Sequence, residues 1–255
     1  MSDQFVVAQI SDMHIRAAAR DDGFDPVADL KRALQQIRAL EPDVIVATGD
    51  LVNDARGDEY PVLAEAMKDA PAPFYLVPGN HDDRARLRSA FPDHAYLPKN
   101  GRLSYTIEDH PVRIVALDEI VPGETAGDFA EDCAAWLDDT LRAAPFRPTL
   151  IALHHPPFLT GDRLLDTIGL KHQDRFADIV RRNPQVGLII CGHHHRPVLG
   201  HVGHVPAVAS PSTAWSFGLA LREGQPVAQK EPALKGWTLH VWRPVGGFST
   251  HFMAL

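Results

Sequence analysis

An α/β fold, with a helix-covered sheet backed by a second sheet, is what this sequence predicts, and three observations carry the prediction. Short apolar, β-rich runs alternate with amphipathic helical segments as far as Cys191. Beyond Gly192 the helical segments stop and alternating, strand-like runs take over. Five short polar clusters each stand at the end of an apolar run, the place where ligands gather in open α/β sheets.

The elements follow in order. Phe5 to Ile10 is apolar but for Gln9 and reads as a buried strand. Asp25-Pro26 opens a helix, the carboxylate capping free N–H groups and the proline supplying a preset φ. Val27, Leu30, Leu34, Ile37 and Leu40 recur at helical spacing, and Pro42 marks the stop. Val44 to Ala47 is the next strand, Tyr60 to Ala70 a helix and Phe74 to Val77 a third strand. A further helix is expected to start at Asp82 or Asp83. Leu103 to Ile107 and Val112 to Leu117 read as a strand pair. Glu131 to Ala143 is amphipathic, with Ala135, Trp136 and Leu141 as candidate core residues. Leu150 to Leu153 is a strand, Asp174 to Arg182 a helix and Gly187 to Cys191 a strand. Trp237 to Trp242 and Phe248 to Met253 alternate as strands, and Ser210 to Gly236 is the least regular stretch.

Composition bounds the function. With 45% hydrophobic residues in 255, the chain can bury a sizeable core. No repeat or linker interrupts it, so one domain over residues 1–255 is expected, with 210–236 a lid or oligomer-contact excursion. A net charge of −8 makes a nucleic-acid duplex a poor partner. Cys133 and Cys191 make no disulfide framework, and Met1-Ser2-Asp3-Gln4 lacks the basic flank of a secretory signal. No apolar stretch reaches membrane-spanning length, so no membrane partner is expected. These features predict a cytoplasmic protein, with a homo-oligomer contact, if one exists, through Ser210 to Gly236 and the final strands.

The chemistry lies in Asp12-Met13-His14, Gly49-Asp50, Gly79-Asn80-His81-Asp82, His154-His155 and Gly192-His193-His194-His195. Residues two apart on extended chain point the same way, so Asp12 with His14, and His193 with His195, can reach one ion. Gly49, Gly79 and Gly192 permit tight turns before the polar side chains. Each cluster alone is an ordinary turn sequence; all five, each after an apolar run, supply Asp, His and Asn donors in a number that suits two adjacent metal ions.

This set resembles the calcineurin-like metallophosphoesterase superfamily, and within it bacterial class III cyclic nucleotide phosphodiesterases and the related glycerophosphodiesterases. The matching stretches are Ile10 to His14, Thr48 to Asn53, Pro78 to Asp82, His154 to Pro157 and Cys191 to His195. The resemblance implies a four-layer α/β/β/α sandwich, two mixed sheets flanked by helices, with a dinuclear metal site at strand carboxyl ends. It implies one ion on Asp12, His14 and His195, a second on Asn80, His154 and His193, and Asp50 bridging both. N and O donors without thiolate suit Mn, Fe, Zn or Co, as divalent or mixed-valence ions. Two divalent ions, two carboxylates and a bridging hydroxide leave a site of about +1, which attracts a phosphate.

The implied activity is hydrolysis of small phosphodiesters, 3′,5′-cyclic nucleotides or glycerophosphodiesters, by that hydroxide. A diester has an alkoxide leaving group, and His81, beside Asn80, is placed to protonate it. The alternatives are a phosphomonoesterase or a scaffold of the same fold that has lost metals. Protein phosphatases of the superfamily carry Asp where this chain has Asn53, and Arg where it has Pro78; both departures disfavour phosphoprotein hydrolysis. Asn53, Asp54 and Asp82 are candidates to orient His81, and His155 and His194 to support the ligands. Ile15 to Phe24, Glu119 to Glu131 and Phe158 to Lys171 are the expected substrate walls. Phe158 or Trp215 is a candidate to stack on a base, and Arg16, Arg20 or Arg163 to pair a phosphate.

Overall fold

A computed structural model describes residues 4–255; the reading made on Met1, Ser2 and Asp3 lies outside the described residues. In the first part, β1 (Phe5–Ile10), α1 (Pro26–Arg38), β2 (Val44–Thr48), α2 (Glu59–Met67), β3 (Phe74–Val77) and α3 (Arg84–Ala90) alternate. β4 (Tyr105–Ile107), β5 (Arg113–Ala116), the short β6 (Gly127–Asp128), α4 (Glu131–Arg142), β7 (Thr149–Ala152), the short β8 (Leu170–Lys171), α5 (Gln173–Arg182) and β9 (Val186–Cys191) follow. The last part is all strand: β10 (Val198–Val202), β11 (Val205–Ala209), a two-residue pair β12 (Ser216–Phe217) and β13 (Lys230–Glu231), then β14 (Gly236–Arg243) and β15 (Gly247–Ala254).

Two mixed sheets result, ordered β15-β14-β1-β2-β3 and β10-β11-β9-β7-β5-β4. β1, β2 and β3 run parallel, as do β5, β7, β9 and β11; the antiparallel strands lie outside them. The second sheet shows how the layers arise. Ile114, Ala116, Leu150, Ala152, Leu188 and Ile190 enter the core shared with β1 to β3 and with α1 and α2. Their alternates Val115, Ile151 and Ile189 face α4 and α5 through Leu137, Leu141, Phe176 and Val180. A period of two thus splits each strand between a sheet-facing and a helix-facing side. The outcome is the expected α/β/β/α sandwich, in which each fully buried Leu or Phe contributes roughly 1.5–3 kcal/mol.

Some local expectations change. Asp25 caps α1, accepting from the Ala28 N–H at 3.0 Å. The helix nevertheless ends at Arg38, and Glu41 turns left-handed (φ 46°), so Leu40 swings out and is 42% exposed. In α4 the inward face is Cys133, Ala134, Leu137 and Leu141; Ala135 is exposed because the larger side chains set the phase. α2 stops at Met67 rather than Ala70, since Pro71 disfavours a helical residue before it. The Ser210–Gly236 stretch is not all surface: residues 210–216 are buried, while 221–227 and 232–234 are exposed. Cys133 and Cys191 are buried free thiols, and among the described residues no helix is long and apolar enough to cross a membrane.

Candidate metal centre

The carboxyl ends of β1, β2, β3, β7 and β9 converge, and the polar clusters come with them. Beyond the strands the loops remain zipped: Asp12 N–H donates to Gly49 O (3.0 Å), His14 N–H to Asp50 O (2.9 Å) and Gly192 N–H to His154 O (2.9 Å). Side chains join the two sheets. His154 Nδ1 donates to Thr48 O (2.8 Å), and Gln9 Nε2 donates to Cys191 O (2.8 Å). All seven expected ligands, Asp12, His14, Asp50, Asn80, His154, His193 and His195, are thereby brought into one region.

They form two groups. Donor atoms of Asp12, His14, Asp50 and His195 lie within 4.8 Å of one another, as do those of His154, His155 and His193. Asp50 faces both groups, with Oδ2 3.7 Å from His14 Nε2 and Oδ1 3.4 Å from His154 Nε2. Asn80 Oδ1 lies 3.1 Å from both His154 Nε2 and His193 Nδ1. Backbone carbonyls fix two tautomers: Thr48 O takes the Nδ1 proton of His154, and Trp215 O that of His195 (2.9 Å). Each Nε2 lone pair is left pointing into its group, the arrangement of a metal-ligating histidine. His195 Nε2 is 3.0 Å from His14 Nε2 and 3.4 Å from Asp12 Oδ1.

The electrostatics fit cations. Burial depresses His14 and His193 well below the ordinary imidazole range and His195 to about 3, keeping them neutral. Burial alone would do the same to His154, but Asp50, Asp12 and Glu119 raise it to about 10, so the polypeptide draws positive charge to that point. His14 Nδ1 and His193 Nε2 are buried without hydrogen-bond partners. The donor set is neutral imidazole, carboxylate and amide oxygen, which suits N/O-bound transition metals.

The backbone reason differs from the one read in the sequence. Asp12, His14, Asp50, His193 and His195 all have left-handed φ, between 45° and 68°. Asp12 with His14 and His193 with His195 therefore meet through paired left-handed turns, not as alternate residues of an extended strand. Such backbone is costly for non-glycine residues and concentrates at functional sites. Gly49 is itself left-handed (φ 88°), but Gly79 and Gly192 are not. They are needed for space: a Cβ on Gly79 would overlap Asp50, and one on Gly192 would overlap Ser11 and Asp12.

Around the ligands, His81 Nδ1 lies 2.5 Å from Asn53 O, a carbonyl that can only accept, so Nδ1 carries the proton and Nε2 is left for the cavity. Burial works against the charged form of His81, but Asp50, this carbonyl and Asp82 outweigh it and raise its pKa. Of the three orienting candidates it is the Asn53 backbone that holds His81. The Asn53 amide donates to Asp54 (2.6 Å), and Asp82 accepts from the N–H groups of Gly79, Leu51 and Val52. His155 is held at both nitrogens, by Glu119 Oε1 (3.0 Å) and Thr125 O (3.1 Å), and His194 turns to Thr160 (3.3 Å). Glu119, expected at the start of a substrate wall, has a supporting role that sequence reasoning missed. Buried at the end of β5, its Oε1 also accepts from the N–H groups of His154 (2.9 Å) and His155 (2.7 Å). The signal was available, since Asp118-Glu119 follows an apolar run as the other clusters do, without a histidine or glycine to mark it.

A cavity of about 260 Å³ opens above the groups, lined by His14, Asp50, Asn80, His81, His193 and His195. The three expected walls contribute Arg20, Thr125, Leu164, Leu165 and Ile168; Asn53, Trp215, Phe217, Ala228 and Lys230 complete it. Trp215 is buried, its indole stacked on His14 (4.6 Å, 24°), and Phe158 is in the α4–α5 core, so neither is free to stack on a base. Arg163 is exposed, while Arg16 is buried beside Asp22. A larger cavity, about 650 Å³, lined by Phe74, Phe91 and Tyr96, holds none of the polar clusters.

The family model described as calcineurin-like phosphoesterase matches residues 5–197. A probable glycerophosphodiester phosphodiesterase of Arcobacter nitrofigilis is 31% identical, covering 96% of this chain and 92% of that protein. A 3′,5′-cyclic adenosine monophosphate phosphodiesterase of Escherichia coli strain K12 is 31% identical, covering 83% of this chain and 77% of that one. Among solved structures, a dimetal phosphatase from Danio rerio has a TM-score of 0.73 over 98% of both chains, at 16% identity, a likeness of fold alone. With a family match over most of its length and relatives of this similarity, the chain belongs to the calcineurin-like phosphoesterase family.

Proposed function

We propose that the chain is a metal-dependent phosphodiesterase of small diesters, 3′,5′-cyclic nucleotides or glycerophosphodiesters. In this reading Asp12, His14 and His195 hold one ion, Asn80, His154 and His193 a second, and Asp50 both. The observation that carries it is Asp50, whose two oxygens face different groups of histidines. The family and the clustered Asp and His side chains indicate a dinuclear centre, and the donor set supports Mn, Fe, Zn or Co. Relatives named for both substrate types support both candidates.

When bound, the ions supply the Lewis acidity that acidifies water and offsets phosphate charge. The remaining roles fall to the chain. Asn53 O holds the Nδ1 proton of the His81 ring, and the raised pKa of that ring favours the imidazolium, whose second proton, on Nε2, goes to the departing alkoxide oxygen. Glu119 pins the His154 backbone and the His155 ring, keeping the His154 imidazole in place. Leu164, Leu165 and Ile168 give one alcohol an apolar wall. We read residues 1–255 as one domain, the exposed part of 210–236 as a lid or contact between copies, and the buried thiols as fitting a reducing cytoplasm.

Initial rates of the metal-loaded protein on bis(p-nitrophenyl) phosphate and p-nitrophenyl phosphate test the reaction class; faster monoester turnover overturns it in favour of a phosphomonoesterase. A mass-spectrometric product panel on 3′,5′-cyclic AMP, 2′,3′-cyclic nucleotides and glycerophosphoethanolamine then chooses the substrate.

A further inference from the structure

Phe217 and Lys230 are cross-strand partners in the β12–β13 ribbon, and both line the cavity. The ribbon lies beyond residue 197, where the family match ends. Lys230 Nζ stands 3.6 Å from the centroid of Trp215, the indole that stacks on His14. Nearby carboxylates are already engaged: Asp22 pairs with Arg16 and Asp54 with Arg20, whereas among the described residues Lys230 makes no ion pair. Arg16, 5.0 Å from the same indole, keeps Nε and Nη2 buried without partners. Charged groups near Lys230 include Arg16, Arg20, Asp22 and Asp54, three cations with two carboxylates, and Asp50 lies on the floor of the same cavity.

An ammonium on the face of an indole is held in position without being neutralised. Lys230 itself is exposed, so its charge acts on a ligand seated against the ring and is screened beyond about a Debye length. The scissile phosphate of a diester carries a single negative charge, which the metal centre takes. The cation on the wall therefore has no assigned partner in a simple diester.

We propose that Lys230, together with Arg20, forms a subsite for a second anionic group, a carboxylate or a further phosphate carried on one of the two alcohols of the substrate. The inference rests on the phosphodiesterase reading and narrows it: diesters with a distal anion are favoured over neutral ones, and those with a distal ammonium are disfavoured.

Three chromogenic esters test it: 2-carboxyethyl 4-nitrophenyl phosphate, its 2-carbamoylethyl isostere and 2-(phosphonooxy)ethyl 4-nitrophenyl phosphate. The readout is the kcat/KM of each charged ester divided by that of the amide, measured within one protein, so that partial loss of fold or metal cancels. For the native chain at least one charged ester exceeds the amide by about 5-fold, equivalent to about 1 kcal/mol, mainly through KM; the larger ratio names the group. In Lys230→Met the ratio falls to about 1, and in Lys230→Arg it persists. A native ratio of about 1, or one unchanged in Lys230→Met, overturns the subsite while leaving the phosphodiesterase reading intact. No turnover of any ester by the metal-loaded protein overturns that reading and the subsite with it.

Discussion

The floor of the site gathers its side chains within a few residues of the ends of five strands, whereas its wall draws on Leu164 to Ile168, Trp215 to Phe217 and Ala228 to Lys230, far apart in the chain. The floor is nearly all buried, and its geometry follows from parallel strands ending at one edge of two packed sheets. The wall is partly exposed and hangs on loops and a two-residue ribbon. The contrast teaches that chemistry and selectivity are separable here: the floor is common to the matched family segment, and much of the wall follows it.

The sharpest way to break this division is at the floor's centre. Asp50→Ala removes the carboxylate that faces both histidine groups, and kcat should fall by about 10³-fold or more, several kcal/mol. Metal stoichiometry, read by plasma mass spectrometry, should fall with it; retained metal and activity would remove Asp50 from the centre. Next comes His81→Asn, with a loss of about 10²-fold or more for an alkyl leaving group. The loss should shrink for p-nitrophenolate, which departs without a proton, and an equal loss for both would remove His81 from the acid role. Glu119→Gln keeps the shape but weakens the grip on His154 and His155, and should lower metal affinity or activity about 10–100-fold. On the wall, Phe217→Ala removes a ring 4.4 Å from His195. It should raise KM by roughly 10-fold with metal content unchanged; lost metal would show that wall and floor are not separable.

The last effect lies under the floor and falls on stability rather than on activity. His240 is buried, bound to Gln9 Oε1 (3.0 Å) and Thr250 (2.9 Å), and burial drops its pKa from 6.5 to about 3. Below pH 6.5 the unfolded chain takes up a proton that the folded one refuses, so this histidine costs stability as pH falls towards 3, and nothing above 6.5. One proton gives a slope of at most about 1.4 kcal/mol per pH unit. Denaturant titrations across pH 4–7 should show a shallower acid loss in His240→Gln than in the native chain.

The division also explains what could be read from the sequence. β1, α1, β2 and β3 announce themselves by apolar runs, a capped helix start and proline, and the ligands follow each strand within four residues. Local order carries that information. Leu40 and Ala135 were misplaced because periodicity gives a face, while the end of a helix and the bulk of its neighbours decide which residue it buries. The supporting role of Glu119 escaped notice because its work is done through backbone N–H groups of His154 and His155, distant in sequence. Lys230 was silent for the same reason: only β12–β13 pairing brings it to Trp215.

Left-handed backbone at Asp12, His14, Asp50, His193 and His195 limits which replacements this centre can tolerate. Asn is at ease in that conformation and a β-branched residue is not. A library that swaps these donors for β-branched threonine or valine would lose the turn along with the donor. Asparagine and glycine leave the turn in place, which makes them the informative exchanges for redesigning this centre to accept other ions.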